Sequence, residues 1–163
     1  MTHADLPMIA VVDIDGVLAD VRHRLRHVTE RPKDWRAFFD AAPGDPLLDE
    51  GERTVRALAE VYDVVYLSGR PERLRAVTER WFARHELPPG RLLLRPAEDY
   101  RPSRDYKLEV LKRLSATATV VVLVDDDPRV LDAARAAGFD VLPATWIGEH
   151  TALREAQERD GRT

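Results

Sequence analysis

The 163-residue sequence predicts an α/β fold: an open, mostly parallel sheet covered by helices on both faces. Three observations carry this expectation. Four continuous apolar runs, at 9–12, 64–67, 92–94 and 120–124, have the character of strands buried on both faces; a weaker fifth lies at 141–142. Segments with helical periodicity alternate with them. Finally, the polar groups suited to chemistry follow the strands, where open α/β sheets hold their ligands.

The first run stops at two acids, Asp13 and Asp15, with Gly16 just behind them. Two carboxylates at the edge of a buried strand are costly unless something cationic sits there. The stretch 21–50 fits the alternation poorly. Between residues 22 and 36 it carries six basic side chains against two acidic ones, then Trp35, Phe38 and Phe39, and it leaves through Pro43 and Pro46. It is expected to form a small helical cap insert over the rim, with the aromatics packing it down. The basic stretch is open to two readings, a solvated face or a nucleic-acid contact.

A helix over 52–60 places Val55, Leu58 and Ala59 on one face, and the strand after it ends in Ser68, Gly69 and Arg70. The next helix, 71–85, begins at Pro71, repeats Leu74, Val77, Thr78 and Trp81 at helical spacing, and is stopped by Pro88-Pro89-Gly90. Arg95 and Pro96 follow the third strand. The helix over 106–114 opens with Lys107 and stripes Leu108, Leu111 and Leu114. The fourth strand ends in Asp125, Asp126 and Asp127. Asp127 suits the N-cap of a helix over 128–137, which starts with proline and stops at Gly138. A polar helix at 151–159 lies in the tail, about 150–163.

These elements fit one domain, 1–163. The net charge of −4 speaks against holding nucleic acid by bulk charge alone, though not against a local basic groove. No cysteine is present, which excludes disulfides, thiolate metal sites and a cysteine nucleophile. The start, MTHADLP, has no leader-like pattern, and no apolar run approaches membrane-spanning length, so a cytoplasmic protein is expected. The five histidines, His3, His23, His27, His85 and His150, show no ligand pairing at useful spacing.

One chemistry uses all the rim groups. A phosphate monoester repels nucleophiles, so a carboxylate attacks it only when a metal and positive donors offset the charge. Carboxylate-rich sites favour Mg²⁺. Asp13 can attack phosphorus and bind metal with Asp125, while Asp15 adds a main-chain carbonyl. The Asp15 side chain can protonate the leaving oxygen and later deprotonate water. Ser68 and the Gly69 amide can hold phosphate, and Lys107, flanked by the rival cations Arg104 and Lys112, can neutralise Asp13 and the phosphoryl group. Asp126 fits the metal's waters or Lys107. Arg70 and Arg95 are candidate phosphate or substrate contacts.

Asp13-x-Asp15-Gly16-Val17-Leu18, Leu67-Ser68-Gly69-Arg70, a later lysine and Val124-Asp125-Asp126 resemble, in order, the four motifs of the haloacid dehalogenase superfamily. The resemblance implies a three-layer, Rossmann-like sheet, and an acid at the position of Asp15 marks the phosphatase branch. Within the superfamily the sequence is most similar to the 3′-phosphatase domain of bacteriophage polynucleotide kinase: Ser-Gly-Arg at the second motif, a helix with an aromatic like Trp81, an arginine like Arg95, and an Asp-Asp pair leading to a helix that ends in glycine. The likeness covers about residues 8–148. There are two departures: no Gly-x-x-x-x-Gly-Lys-Ser/Thr kinase loop is present, and Asp127 stands where the phage domain has arginine.

The expectation is therefore a Mg²⁺-dependent phosphomonoesterase working through an aspartyl-phosphate, with DNA or RNA 3′-phosphate ends as substrate and a kinase or ligase as a candidate partner. The alternatives are a nucleotidase or small-molecule phosphatase of the same superfamily, and a non-catalytic module like a response-regulator receiver. A receiver's acidic pair and phosphorylated aspartate come in a different strand order.

Overall fold

The computed structural model describes residues 5–148 and 150–163. His3, with the rest of 1–4 read above for a leader, lies outside them. Within the described residues, five strands form one sheet: β1 (Met8–Val12), β2 (Asp63–Pro71), β3 (Gly90–Arg95), β4 (Thr119–Asp125) and β5 (Val141–Pro143). Their order is β3-β2-β1-β4-β5, and every pairing is parallel. Among the described residues, seven α-helices accompany them: α1 (Arg26–Thr29), α2 (Trp35–Asp40), α3 (Asp49–Ala59), α4 (Arg75–Arg84), α5 (Ser103–Ser115), α6 (Pro128–Ala136) and α7 (Thr151–Glu158).

The sheet is covered on both faces, which explains its unbroken apolar strands. Val12, Val64, Tyr66, Leu92, Leu94 and Val124 face one cluster with Val55 of α3 and Trp81 of α4. Ile9, Val11, Val65, Leu67 and Leu123 face the other with Leu111 and Leu114 of α5 and Val130 of α6. The alternation is that of a strand, with side chains leaving by opposite faces in turn. The chain reverses its direction of travel across the sheet between β1 and β4, and Asp13 and Asp125 follow or end these two strands. That crevice is the usual ligand position in such sheets.

Four details differ from the sequence reading. Helix α3 begins at Asp49, three residues before the expected 52, and has Asp49, Glu50 and Glu52 in its first turn, where the helix dipole favours acids. Strand β2 runs on to Pro71, which pairs with Arg95, so the helix expected from 71 begins only at Arg75 after a 3₁₀ turn at Glu72–Leu74. The β2–β3 register shifts between Leu67 and Pro71, so Ser68, Gly69 and Arg70 lie in an irregular stretch that re-aims their side chains. Lys107 does not open α5; it sits in the second turn of a helix that starts at Ser103.

The stretch 21–50 contains α1, α2 and two 3₁₀ turns. Its apolar residues Val21, Leu25, Val28, Phe38 and Phe39 pack with Leu74 and with Ile147 and Leu153 near α7. Among the described residues, no helix is long and apolar enough to cross a membrane.

Candidate active site

The turn after β1 builds the centre of the site. The Ile14 carbonyl accepts from the amides of Val17, Leu18 and Ala19, and the Gly16 amide donates to the Ala19 carbonyl. This tight fold needs Gly16 at φ +82°, where a side chain would be strained and would also run into the Asp126 carboxylate. Asp13 stays tied to the sheet through its amide, which donates to the Val124 carbonyl at 2.9 Å.

Asp13, Asp125 and Asp126 are buried, and an oxygen from each falls within 4.8 Å of the others. Lys107 Nζ lies 3.0 Å from Asp13 Oδ2 and 2.6 Å from Asp125 Oδ2. Burial opposes the charge on Lys107, but Asp125 and Asp13 outweigh it and hold its pKa above the ordinary value. Lys107, with Arg154 on Asp126 at 3.0 Å, still leaves two cations against three acids. Burial, and then repulsion from Asp125, push Asp13 well above the usual carboxylate range; the same two causes lift Asp126 to about 6. A set of hard, buried oxygens short of positive charge fits a divalent cation such as Mg²⁺.

Asp15 is also buried, but its carboxylate does not join that cluster. Its Oδ1 accepts from Arg70 Nε at 2.9 Å, Arg70 Nη2 at 2.6 Å and Arg24 Nη2 at 3.0 Å. Both arginines are fully buried and continue to Asp45, whose Oδ2 lies 3.0 Å from Arg70 Nη2 and 2.9 Å from Arg24 Nη2. Arg70 Nη1 donates to Thr78 Oγ1 at 3.2 Å, and Arg24 lies 4.3 Å over the Phe38 ring. Burial would raise the pKa of Asp15, but Arg70 and then Arg24 outweigh it and hold it far below the usual range. Asp15 is therefore an ionised carboxylate with one oxygen pinned. Its other oxygen, Oδ2, accepts from the Thr163 hydroxyl at 2.6 Å.

The structure thus brings Asp13, Lys107, Asp125 and Asp126 together, with Asp15 beside them. Ser68 is buried and its Oγ accepts from the Arg70 amide at 3.1 Å. Gly69 lies against the Thr163 main chain, which a Cβ at Gly69 would strike. Arg70, considered above as a substrate contact, sits behind Asp15 instead. Arg95 is buried too: it donates to the carbonyls of Gly69 at 3.1 Å and Arg101 at 2.8 Å and to Ser103 Oγ at 3.1 Å, and so braces the rim. Asp127 caps α6, its side chain accepting from the Arg129 amide.

Four contributors escaped the sequence reading. Arg24 is one of six basic residues between 22 and 36, and Asp45 stands between Gly44 and Pro46, so no local pattern marks either. Arg154 of α7 donates to Asp126 Oδ2 at 3.0 Å and to the Asp126 carbonyl at 2.8 Å. Thr163 reaches Asp15 from 148 residues away, a pairing no local pattern announces. Other basic residues of 22–36 are engaged elsewhere: Arg22 with Asp20, Lys33 with Asp160 at 2.6 Å and Glu155 at 3.4 Å, and Arg36 with Asp40.

A parallel sheet in the order 3-2-1-4-5, with an Asp-x-Asp turn after β1, a lysine on α5 and an acid pair at the end of β4, defines a phosphatase of the haloacid dehalogenase superfamily. More narrowly, the chain belongs to the family described as the polynucleotide kinase PNKP phosphatase domain, whose family model matches residues 7–145. Two solved structures of a Pnkp1/Rnl/Hen1 complex, one of them described as an RNA repair complex, contain a similar chain. One matches at 27% identity and TM-score 0.69 over 85% of this chain and 42% of that chain; the other at 26% and 0.71 over 86% and 46%. The chain therefore spans less than half the length of these neighbours. The class C acid phosphatase of Bacillus anthracis shares the fold at 16% identity and TM-score 0.64, over 94% of this chain and 71% of that one. No curated protein matches the chain.

Proposed function

We propose that this protein is a Mg²⁺-dependent phosphomonoesterase that acts through an Asp13 aspartyl-phosphate and removes 3′-phosphates from polynucleotide ends. The observation that carries this is the division of labour between the two acids. Asp13 lies with Lys107 in a cation-hungry cluster, while Asp15 stands beside it with one oxygen pinned by two arginines and the other meeting a hydroxyl.

Asp13, Asp125 and Asp126 would hold the ion, which when bound supplies positive charge to the phosphoryl oxygens. Lys107, 3.0 Å from Asp13 Oδ2, neutralises Asp13 and would offset the charge of the incoming phosphate. An Asp13 oxygen forms a bond to phosphorus as the ester P–O bond breaks, and the leaving oxygen takes a proton from Asp15 Oδ2. Arg24 and Arg70 keep that proton scarce in the free protein; the charge of an arriving phosphate dianion favours its uptake. In the second half Asp15 takes a proton from water, the water oxygen bonds to phosphorus, and the P–O bond to Asp13 breaks. Phosphate leaves and Asp13 is restored.

The polynucleotide substrate rests on the family and on the RNA repair assembly among the neighbours. A kinase or ligase partner, and a place among cytoplasmic repair proteins, are the corresponding parts of the same reading. Rates on a 3′-phosphorylated oligonucleotide, a 5′-phosphorylated one and 3′-mononucleotides test it. The 3′-phosphorylated oligonucleotide is expected to react fastest; equal or better rates on mononucleotides would overturn the substrate assignment.

A further inference from the structure

The segment 161–163 reaches the Asp15 carboxylate through Thr163. The Thr163 hydroxyl donates to the free oxygen of Asp15, its main-chain oxygen accepts from Ser103 Oγ, and its backbone lies against Gly69. One residue earlier, the Arg162 guanidinium lies 4.4 Å from the Tyr100 ring centre and 5.3 Å from that of Trp35. Gly161 adopts φ +57° and approaches the Tyr100 main chain so closely that any side chain there would collide with it. A cavity of about 200 Å³ adjoins this segment, bordered by Phe39, Arg73, Arg95, Tyr100 and Arg162.

A secondary hydroxyl on Asp15 and a flat, polarisable group against two aromatic faces are also what a terminal nucleoside would present. Its 3′-hydroxyl is the atom that leaves phosphorus, and its base has a π-face. Base–aromatic stacking tolerates any base and is strong in single-strand binding. Arginine uses the same aromatic faces through its planar cation. Tyr100 is 54% exposed, far more than a ring kept for packing alone, and Arg73, lying 5.2 Å over Phe39, puts a positive charge along the same wall.

We infer that Trp35 and Tyr100 form a stacking subsite for the terminal base of the substrate, and that Gly161–Thr163 occupy this seat until the substrate displaces them. The inference rests on the polynucleotide reading and names where the end nucleotide lies. It predicts opposite signs for neighbouring substitutions. Removing a ring weakens the oligonucleotide; removing Arg162 removes a competitor and strengthens it.

The test uses full-length protein and a 3′-phosphorylated oligonucleotide, paired with the same oligonucleotide made abasic at its last position. Tyr100→Ala is expected to lower kcat/KM on the base-bearing substrate by about tenfold, with Tyr100→Phe near wild type. The abasic substrate should react slowly with wild type and be nearly indifferent to Tyr100→Ala. Arg162→Ala should lower KM severalfold, and in Asp13→Asn background should tighten oligonucleotide binding measured by fluorescence anisotropy. Because Trp35 also packs on Phe38 and Phe39, Tyr100 on its exposed loop is the decisive ring. Equal losses on both substrates, or an Arg162→Ala variant that binds no better than its parent, would overturn the subsite. Failure of the polynucleotide reading shows instead in wild type, as no preference for oligonucleotides over mononucleotides.

Discussion

The behaviour of Asp15 depends on two arginines that sit behind it. Arg24 and Arg70 share Asp15 and Asp45 in a buried group of two cations and two anions. Breaking a buried pair by removing one partner leaves uncompensated charge and typically costs about 3–5 kcal/mol. Arg24→Gln should therefore destabilise the protein by that order at pH 7. The pH dependence has a definite sign. Asp15 has a folded pKa depressed below its ordinary 3.8, so its stabilising contribution is present above that value and is lost as pH falls toward the depressed one. Without Arg24 less of this contribution exists to lose. The penalty of Arg24→Gln should be largest at neutral pH and shrink below pH 3.8. Urea denaturation of both proteins at pH 7 and pH 3 measures this; an equal penalty at both would contradict the account. At this scale the sequence was only partly legible. Asp13, Asp15, Lys107, Asp125 and Asp126 could be read because each follows a strand or sits on a striped helix. Arg24 could not, since burial of one arginine among six basic residues is decided by the fold of the insert, not by its neighbours in sequence.

At the scale of elements, α7 matters most. It was legible as a polar helix, but its place was not, because few apolar residues announce what it covers. Leu153 anchors it to the cluster formed by the insert, Lys33 clasps Glu155 and Asp160, and Arg154 turns onto Asp126. The basic stretch is thus partly spent on holding this helix. Arg154 occupies a carboxylate that the metal would use, so the two cations compete. Arg154→Ala should tighten Mg²⁺ binding by about fivefold, the scale of an ion pair worth roughly 1 kcal/mol. Calorimetry or the thermal shift on adding Mg²⁺ measures it. The metal-induced shift should also grow from pH 5 to pH 7.5 in both proteins. Asp13 and Asp126 have raised pKa values in the metal-free protein and must shed protons to bind. Unchanged or weaker Mg²⁺ binding in the variant would contradict competition. The strand elements were read well, since a sheet covered on both faces leaves unbroken apolar runs. The misplaced start of α4 reflects Pro71, equally at home in a first helical turn and in the extended backbone it adopts here beside Arg95.

At the scale of the molecule, two distant parts of the chain close over one sheet edge. The insert after β1 supplies Arg24, Asp45 and Trp35; the segment from α7 onward supplies Arg154, Arg162 and Thr163. The ends of β1 and β4, with α5 beside them, position Asp13, Lys107 and the acid cluster. What surrounds them sets the protonation of Asp15 and the room left for substrate. The proposed attack of an Asp13 oxygen on phosphorus is the step on which the reaction turns. Its most direct test is mass spectrometry of the protein acid-quenched during turnover of a 3′-phosphorylated oligonucleotide with Mg²⁺. A phosphoryl group is expected on the peptide bearing Asp13, labile to hydroxylamine and absent from Asp13→Asn, which should be inactive. A phosphoryl group on another acid, or turnover by Asp13→Asn at the wild-type rate, would contradict it.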